Sequence, residues 1–174
     1  MTRAPDADFA AERHRAAAGL ITAALQAGRE VRLRLWGTSM IPAIWPGDEV
    51  LVSPTAQAPP AKGAIILFLR SGRLFAHRVV ARDGDRLITR GDAVADCDPP
   101  VPAGDLLGVV TGIVQLPATG LQRVIRVGPP SLTRTVIAFA IRRSEVAHRL
   151  AVGWNRLSRL RFSAPERRGA KVRL

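Results

Sequence analysis

No apolar run in the chain is long enough to cross a bilayer. About 18 consecutive apolar residues are needed, and the longest candidate, TVIAFAI at 135–141, is stopped by Arg142 and Arg143. The opening stretch, MTRAPDADFAAERHR, lacks the apolar centre of a secretory signal. Cysteine occurs once, at Cys97, which excludes an internal disulfide and suits a reducing compartment. Lysine occurs only at Lys62 and Lys171, so 24 of the 26 basic residues are arginine. Arginine stays protonated at neutral pH and cannot act as a base. The candidate proton acceptors therefore reduce to those two lysines and to His14, His77 and His148. Aromatic residues make up 5% of the chain. Neither the stacking platforms of single-strand binders nor a recognisable reading module for nucleic acid is visible.

What is present suits one domain with an appendage. The chain has 174 residues, of which 47% are hydrophobic, enough to bury a core. Residues 1–120 carry 13 Lys and Arg against 12 Asp and Glu, whereas 121–174 carry 13 against 2. The net charge of +12 is thus concentrated in the last 54 residues. Such a block favours anionic surfaces, or else it is a solvated tail.

Periodicity divides the chain into an N-terminal helix (1–30), a β-rich unit (31–120) and a basic helical extension (121–174). Over 8–28 the apolar residues Phe9, Ala17, Leu20, Ile21, Ala24 and Leu25 follow helical spacing, with Asp8 as N-cap and Gly28 as C-cap. From residue 31 the period becomes two. VRLRLW (31–36), DEVLV (48–52), GAIILFLR (63–70), RLFAHRVV (73–80), RLIT (86–89) and DLLGVVTGIVQL (105–116) read as strands separated by turn signals. Their spacing predicts a mainly β fold, a compact antiparallel barrel-like sheet. Beyond Pro129 and Pro130 the pattern is helical again, over about 131–162. Phe139, Val146, Leu150, Trp154 and Leu157 share one side, Arg142, Arg149 and Arg156 run along its edge, and Arg143 and Arg161 intrude on the apolar side. The ending SAPERRGAKVRL has the composition of a disordered segment.

The chemistry centres on three places. Ser39 sits where an alternating strand breaks at Gly37, which is either a plain turn or a nucleophile held out on one. A serine hydroxyl is a poor nucleophile until a base removes its proton. His77 lies mid-strand with Phe75 and Val79 on its face, whereas His14 and His148 lie in helices among arginines. TRGDAVADCDPPV (89–101) then brings Asp92, Asp96 and Asp98 within seven residues. One of them could fix the tautomer of a catalytic histidine. Alternatively the loop satisfies its own backbone, or binds metal weakly, though its spacing and glycine placement do not match a calcium loop.

GTSMIPAIWPGDEVLV resembles the serine box of the type I signal peptidases and of the related self-cleaving LexA-type repressor domains. KGAIILFLRSGRLFAHRVVARDGDRLITRGDAVADCDPPV resembles their second conserved region, and DLLGVVTGIV resembles the strand that closes the domain. The resemblance spans roughly 33–116. Where the bacterial branch has a lysine base, this sequence has His77 before "RVV". The archaeal and endoplasmic-reticulum-type branch has "HRV" there, then "KGD" and a second aspartate six residues on. Here AHRVV is followed by RGD, and Asp98 lies six residues after Asp92. The resemblance to this histidine-type branch implies the signal-peptidase fold, with Ser39 as nucleophile, His77 as general base and Asp98 as orienting carboxylate. Asp92 matches the family's other functional aspartate, and Asp96 matches nothing. The oxyanion would be held by backbone N–H groups near Ser39, because Gly37 stands where some members place a hydroxyl donor. No metal or cofactor is implied.

The function expected is therefore a serine endopeptidase that cleaves an extended signal peptide, leader peptide or preprotein after small residues. The helix over 8–28 stands where the family's membrane enzymes carry a spanning anchor. A peripheral attachment to anionic membrane through 131–162, or a cytoplasmic location, is expected in its place. Two alternatives remain at this level. One is a cytoplasmic peptidase for a single leader or partner protein; the other is a non-catalytic, regulatory nucleic-acid-binding protein using the basic tail. The missing reading module disfavours nucleic acid. The oligomeric state is left open.

Overall fold

The structure is a computed structural model that describes residues 5–55, 59–115 and 123–127, with the single helical positions 137, 138 and 153. The remainder of the helix expected over 131–162, its arginine row and the ending after it lie outside the described residues.

Helix α1 spans Pro5–Gln26. Proline suits a first helical turn, where its missing N–H would find no partner within the helix anyway. Asp8 consequently lies inside the helix and is not its N-cap. At the other end Gly28 adopts φ +76°, its N–H donates to Leu25 O, and Arg29 N–H donates to Ala24 O, both at 3.0 Å. This pair of closing bonds is the left-handed helix stop that glycine makes cheaply. The buried stripe is Ala18, half-buried Ile21 and Leu25, spaced i, i+3, i+7. Of the expected apolar face, Ala17 and Leu20 turn outward, and Leu20 is 76% exposed.

The strands are β1 (Val31–Arg34), β2 (Glu49–Pro54), β3 (Ile65–Arg70), β4 (Arg73–Asp83), β5 (Arg86–Arg90), β6 (Leu106–Gln115) and β7 (Arg123–Arg126). They form one antiparallel sheet in the order β1-β2-β6-β3-β4-β5, with β7 paired to β6. The sheet is mainly what the period-two pattern predicts, with two differences. It is open: β1 and β5 end the path and no pairing joins them, so it does not close into a barrel. Closure depends on strand tilt and stagger, which alternation does not encode. β7 was not anticipated; its short RVIR pairs with 112–115 of β6, beyond the 106–109 stretch that pairs with β3.

β3 positions the rest because both of its faces are covered. Ile65 and Leu67 enter a core with Leu25, Met40, Ile44, Val50, Val52, Val110 and Ile113. Ile66 and Phe68 enter a second core with Val79, Leu87 and Val101. This explains the unbroken apolar run in a period-two segment, and each such fully buried side chain contributes about 1.5–3 kcal/mol. The connection between β1 and β2 is no plain hairpin. Met40, Ile41, Ala43 and Ile44 dip into the interior at 6% exposure or less, and the Ile41–Pro42 peptide bond is cis. Ser39 is thereby fixed next to buried chain.

Candidate active site

Three elements bring one polar cluster together. Ser39 precedes the buried Met40–Ile44 turn. His77 comes from β4, where it pairs across to Ile66 of β3 and is 7% exposed. The Phe68 and Phe75 rings stand roughly edge-to-face with the imidazole, centroids 6.1 and 6.0 Å from its own, so its walls there are apolar. Asp98 stands on the segment after β5 and is tied back to it, its N–H donating to Thr89 O at 2.8 Å.

The side chains form a continuous relay. Ser39 Oγ lies 3.0 Å from His77 Nε2, and His77 Nδ1 lies 2.7 Å from Asp98 Oδ2. Thr89, fully buried, donates its hydroxyl to the same Asp98 oxygen at 2.7 Å. An ionised Asp98 can accept only, so Nδ1 carries the proton and Nε2 offers its lone pair to the serine hydroxyl. Burial pushes the Asp98 carboxyl up. Hydrogen bonds from His77 and Thr89, with the charges of His77 and Arg70, outweigh that and hold it below the usual aspartate range. Arg70 also donates to Pro99 O at 2.6 Å, with its guanidinium 5.2 Å over the Phe68 ring, so it clamps the chain just after Asp98.

Asp92 occupies a different place. Its two oxygens accept from Arg78 Nε and Nη2 at 2.8 and 2.7 Å, and Arg78 Nη1 donates to Gly63 O at 2.7 Å. Asp92 therefore braces the loop against β4 through Arg78, with no bond to His77 among the described residues. Its neighbours hold the serine. Ala93 N–H donates to Ser39 O at 2.8 Å, and a Cβ placed at Gly91 would lie 2.7 Å from that oxygen and 3.0 Å from Ser39 Cβ. The glycine of the RGD triplet is required because another backbone passes there. Among the described residues, the Ser39 N–H donates to no partner.

The other candidates fall away from the cluster. Lys62, Asp96 and Cys97 are exposed. The His14 side chain and all of His148 lie outside the described residues. Among the described residues no group of three or more His, Cys, Asp or Glu side chains could hold a metal ion.

A cavity of about 440 Å³ opens beside Ser39 and His77. Leu33, Leu35, Trp36, Met40, Leu74 and Phe75 contribute to its walls, and Trp36 is 71% exposed. Four contributors to the cluster were not anticipated from sequence: Thr89, Arg78, Arg70 and Gly91. Thr89 could have been found, since it shares the inward phase of Leu87 on β5, and a polar residue there needs a partner. Arg78, mid-strand between His77 and Val79, likewise calls for a carboxylate once buried.

No family model matches the chain, and no curated protein matches it.

Proposed function

We propose that this protein is a serine endopeptidase of the signal-peptidase type, acting on an extended signal or leader peptide after small residues. The observation that carries this reading is the relay Ser39 Oγ–His77 Nε2–Asp98 Oδ2, at 3.0 and 2.7 Å, beside an apolar cavity. The likeness of residues 33–116 to the histidine-type signal peptidases supports the same assignment. In this mechanism His77 Nε2 takes the Ser39 proton as Oγ attacks the scissile carbonyl. Asp98 accepts from Nδ1–H and stabilises the imidazolium. The Ser39 N–H faces the developing oxyanion. The imidazolium then protonates the leaving amine, the C–N bond breaks, and an ester on Ser39 remains. Water, deprotonated by His77, hydrolyses that ester and restores the serine. Asp92, held by Arg78, positions the loop and takes no proton.

A described helix long and apolar enough to cross a membrane is absent. Attachment to anionic lipid through 131–162 is part of this proposal and rests on the arginine row and apolar side of that sequence.

The test is incubation of the full-length protein with a library of extended peptides, read by mass spectrometry, with the Ser39→Ala protein in parallel. Cleavage at one type of bond, lost in Ser39→Ala, is the expected result. Cleavage that persists in Ser39→Ala, or none in either protein, would overturn the assignment.

A further inference from the structure

We propose that helix α1 is a wall of the substrate groove, and that Ile21 sets the size of the side chain accepted there. This rests on the peptidase reading above. Ile21 lines the same cavity as Ser39 and His77. It is half-buried and packs against the core that includes Leu25, Met40 and Leu67, so its position is fixed while part of it still faces the cavity. The helix itself is anchored on both sides of that point. On one side, Arg15 methylenes lie against the β3–β4 turn, 3.6 Å from where a Gly72 Cβ would stand. On the other, Leu25 is 2% exposed and the glycine stop at Gly28 turns the chain toward β1. α1 lies outside the 33–116 stretch that carries the catalytic likeness, so that likeness does not account for this wall.

The size and lining of the cavity define what it takes. A volume of about 440 Å³ far exceeds one methyl group, given that a water takes about 30 Å³ of liquid. Leu74 stands three residues from His77 along β4, roughly 10 Å at the rise of a strand. The groove therefore reaches beyond the residue whose carbonyl is attacked. An extended peptide places alternate side chains on one face about 6.6–6.8 Å apart, so the residue two positions before the one whose carbonyl is attacked falls over this farther part. Ile21, Leu33 and Leu74 offer it apolar contact, and Arg34, which also borders the cavity, is held by Glu49. The substrate class is thus an extended peptide with a small residue at the cut and a leucine- or methionine-sized side chain two positions before it.

The test separates binding from chemistry. Full-length Ser39→Ala protein is titrated with acetyl-Ser-X-Ser-Ala-Gly-Ser-amide, X being alanine, leucine or phenylalanine, by calorimetry. Leucine should bind about 10-fold tighter than alanine, the discrimination a few methylenes give in an apolar pocket. Ile21→Phe should bring leucine down to the alanine level. Ile21→Ala, and more mildly Ile21→Val, should move the preference toward phenylalanine. Such opposite shifts cannot come from partial unfolding, which weakens all peptides alike. Equal affinity for the three peptides, no binding at all, or Ile21 variants that scale every affinity by one factor would overturn the proposal. Selective binding without cleavage by the wild-type protein would instead overturn the peptidase reading while leaving the groove assignment standing.

Discussion

His77 and Arg78 stand side by side on β4, and each is matched to an aspartate of the 91–98 segment, yet the two pairs differ in kind. His77–Asp98 joins a titratable base to a carboxylate shared with Thr89 and opens on Ser39 at its far side. Arg78–Asp92 is a bidentate pair of a permanent cation, closed on itself and on Gly63 O, with side chains 7% and 14% exposed. The first pair can move a proton; the second can only hold its place. One loop thus supplies a carboxylate that meets the imidazole and another that braces, with Asp92 of the bracing pair directly after Gly91, which packs on Ser39.

The largest effect that would break this contrast lies in the first pair. Ser39→Ala and His77→Ala should each lower kcat by about 10⁴–10⁶ while leaving the thermal midpoint little changed, as measured by peptide cleavage and circular dichroism. Lys62→Ala should retain full activity. Loss in Lys62→Ala with retention in His77→Ala would reverse the choice of base.

Asp98→Asn comes next. The amide can donate to Nδ1 and stabilise the wrong imidazole tautomer, so kcat should fall about 10⁴-fold with peptide affinity kept. A loss no larger than that of Asp92→Asn would erase the distinction between the two aspartates.

The second pair should answer in stability. Arg78→Met leaves Asp92 buried without its partner and should cost about 3–5 kcal/mol in denaturant unfolding. Adding Asp92→Leu to Arg78→Met should recover part of it, because the stranded charge is gone. No recovery would mean that the bonds themselves, rather than the unpaired charge, dominate.

Gly91→Ala tests the link between the pairs. The added methyl meets Ser39 O, and a nucleophile shifted by about 1 Å can lose about 100-fold in rate. An unchanged rate would show that the Ser39 backbone tolerates the displacement.

The smallest effect is in pH. Asp98 is held below the usual range, so its contribution to stability is present above the unfolded value near pH 3.9 and disappears as pH falls through the lower folded value. Acid unfolding curves of wild type and Asp98→Asn should converge only at that acid end.

Much of the architecture was legible along the chain. Six of the seven described strands follow from period-two alternation and turn residues, and the helix stop from Gly28. Residue type alone singles out Ser39 and His77, because few side chains in this composition can act as bases, and leaves Asp92, Asp96 and Asp98 open; the preference for Asp98 is what the resemblance to the histidine-type peptidases implies. What the tertiary structure decided is contact across distance. That Asp98 rather than Asp92 or Asp96 meets His77 depends on the Thr89 tether and the Arg78 brace, which bring together residues 9 and 14 positions apart. That the sheet stays open, and that Ile21 of α1 reaches the cavity beside Ser39, depends on strand twist and helix docking. A one-dimensional pattern records which side of an element is apolar, but the partner that covers it is chosen only when all the elements pack at once.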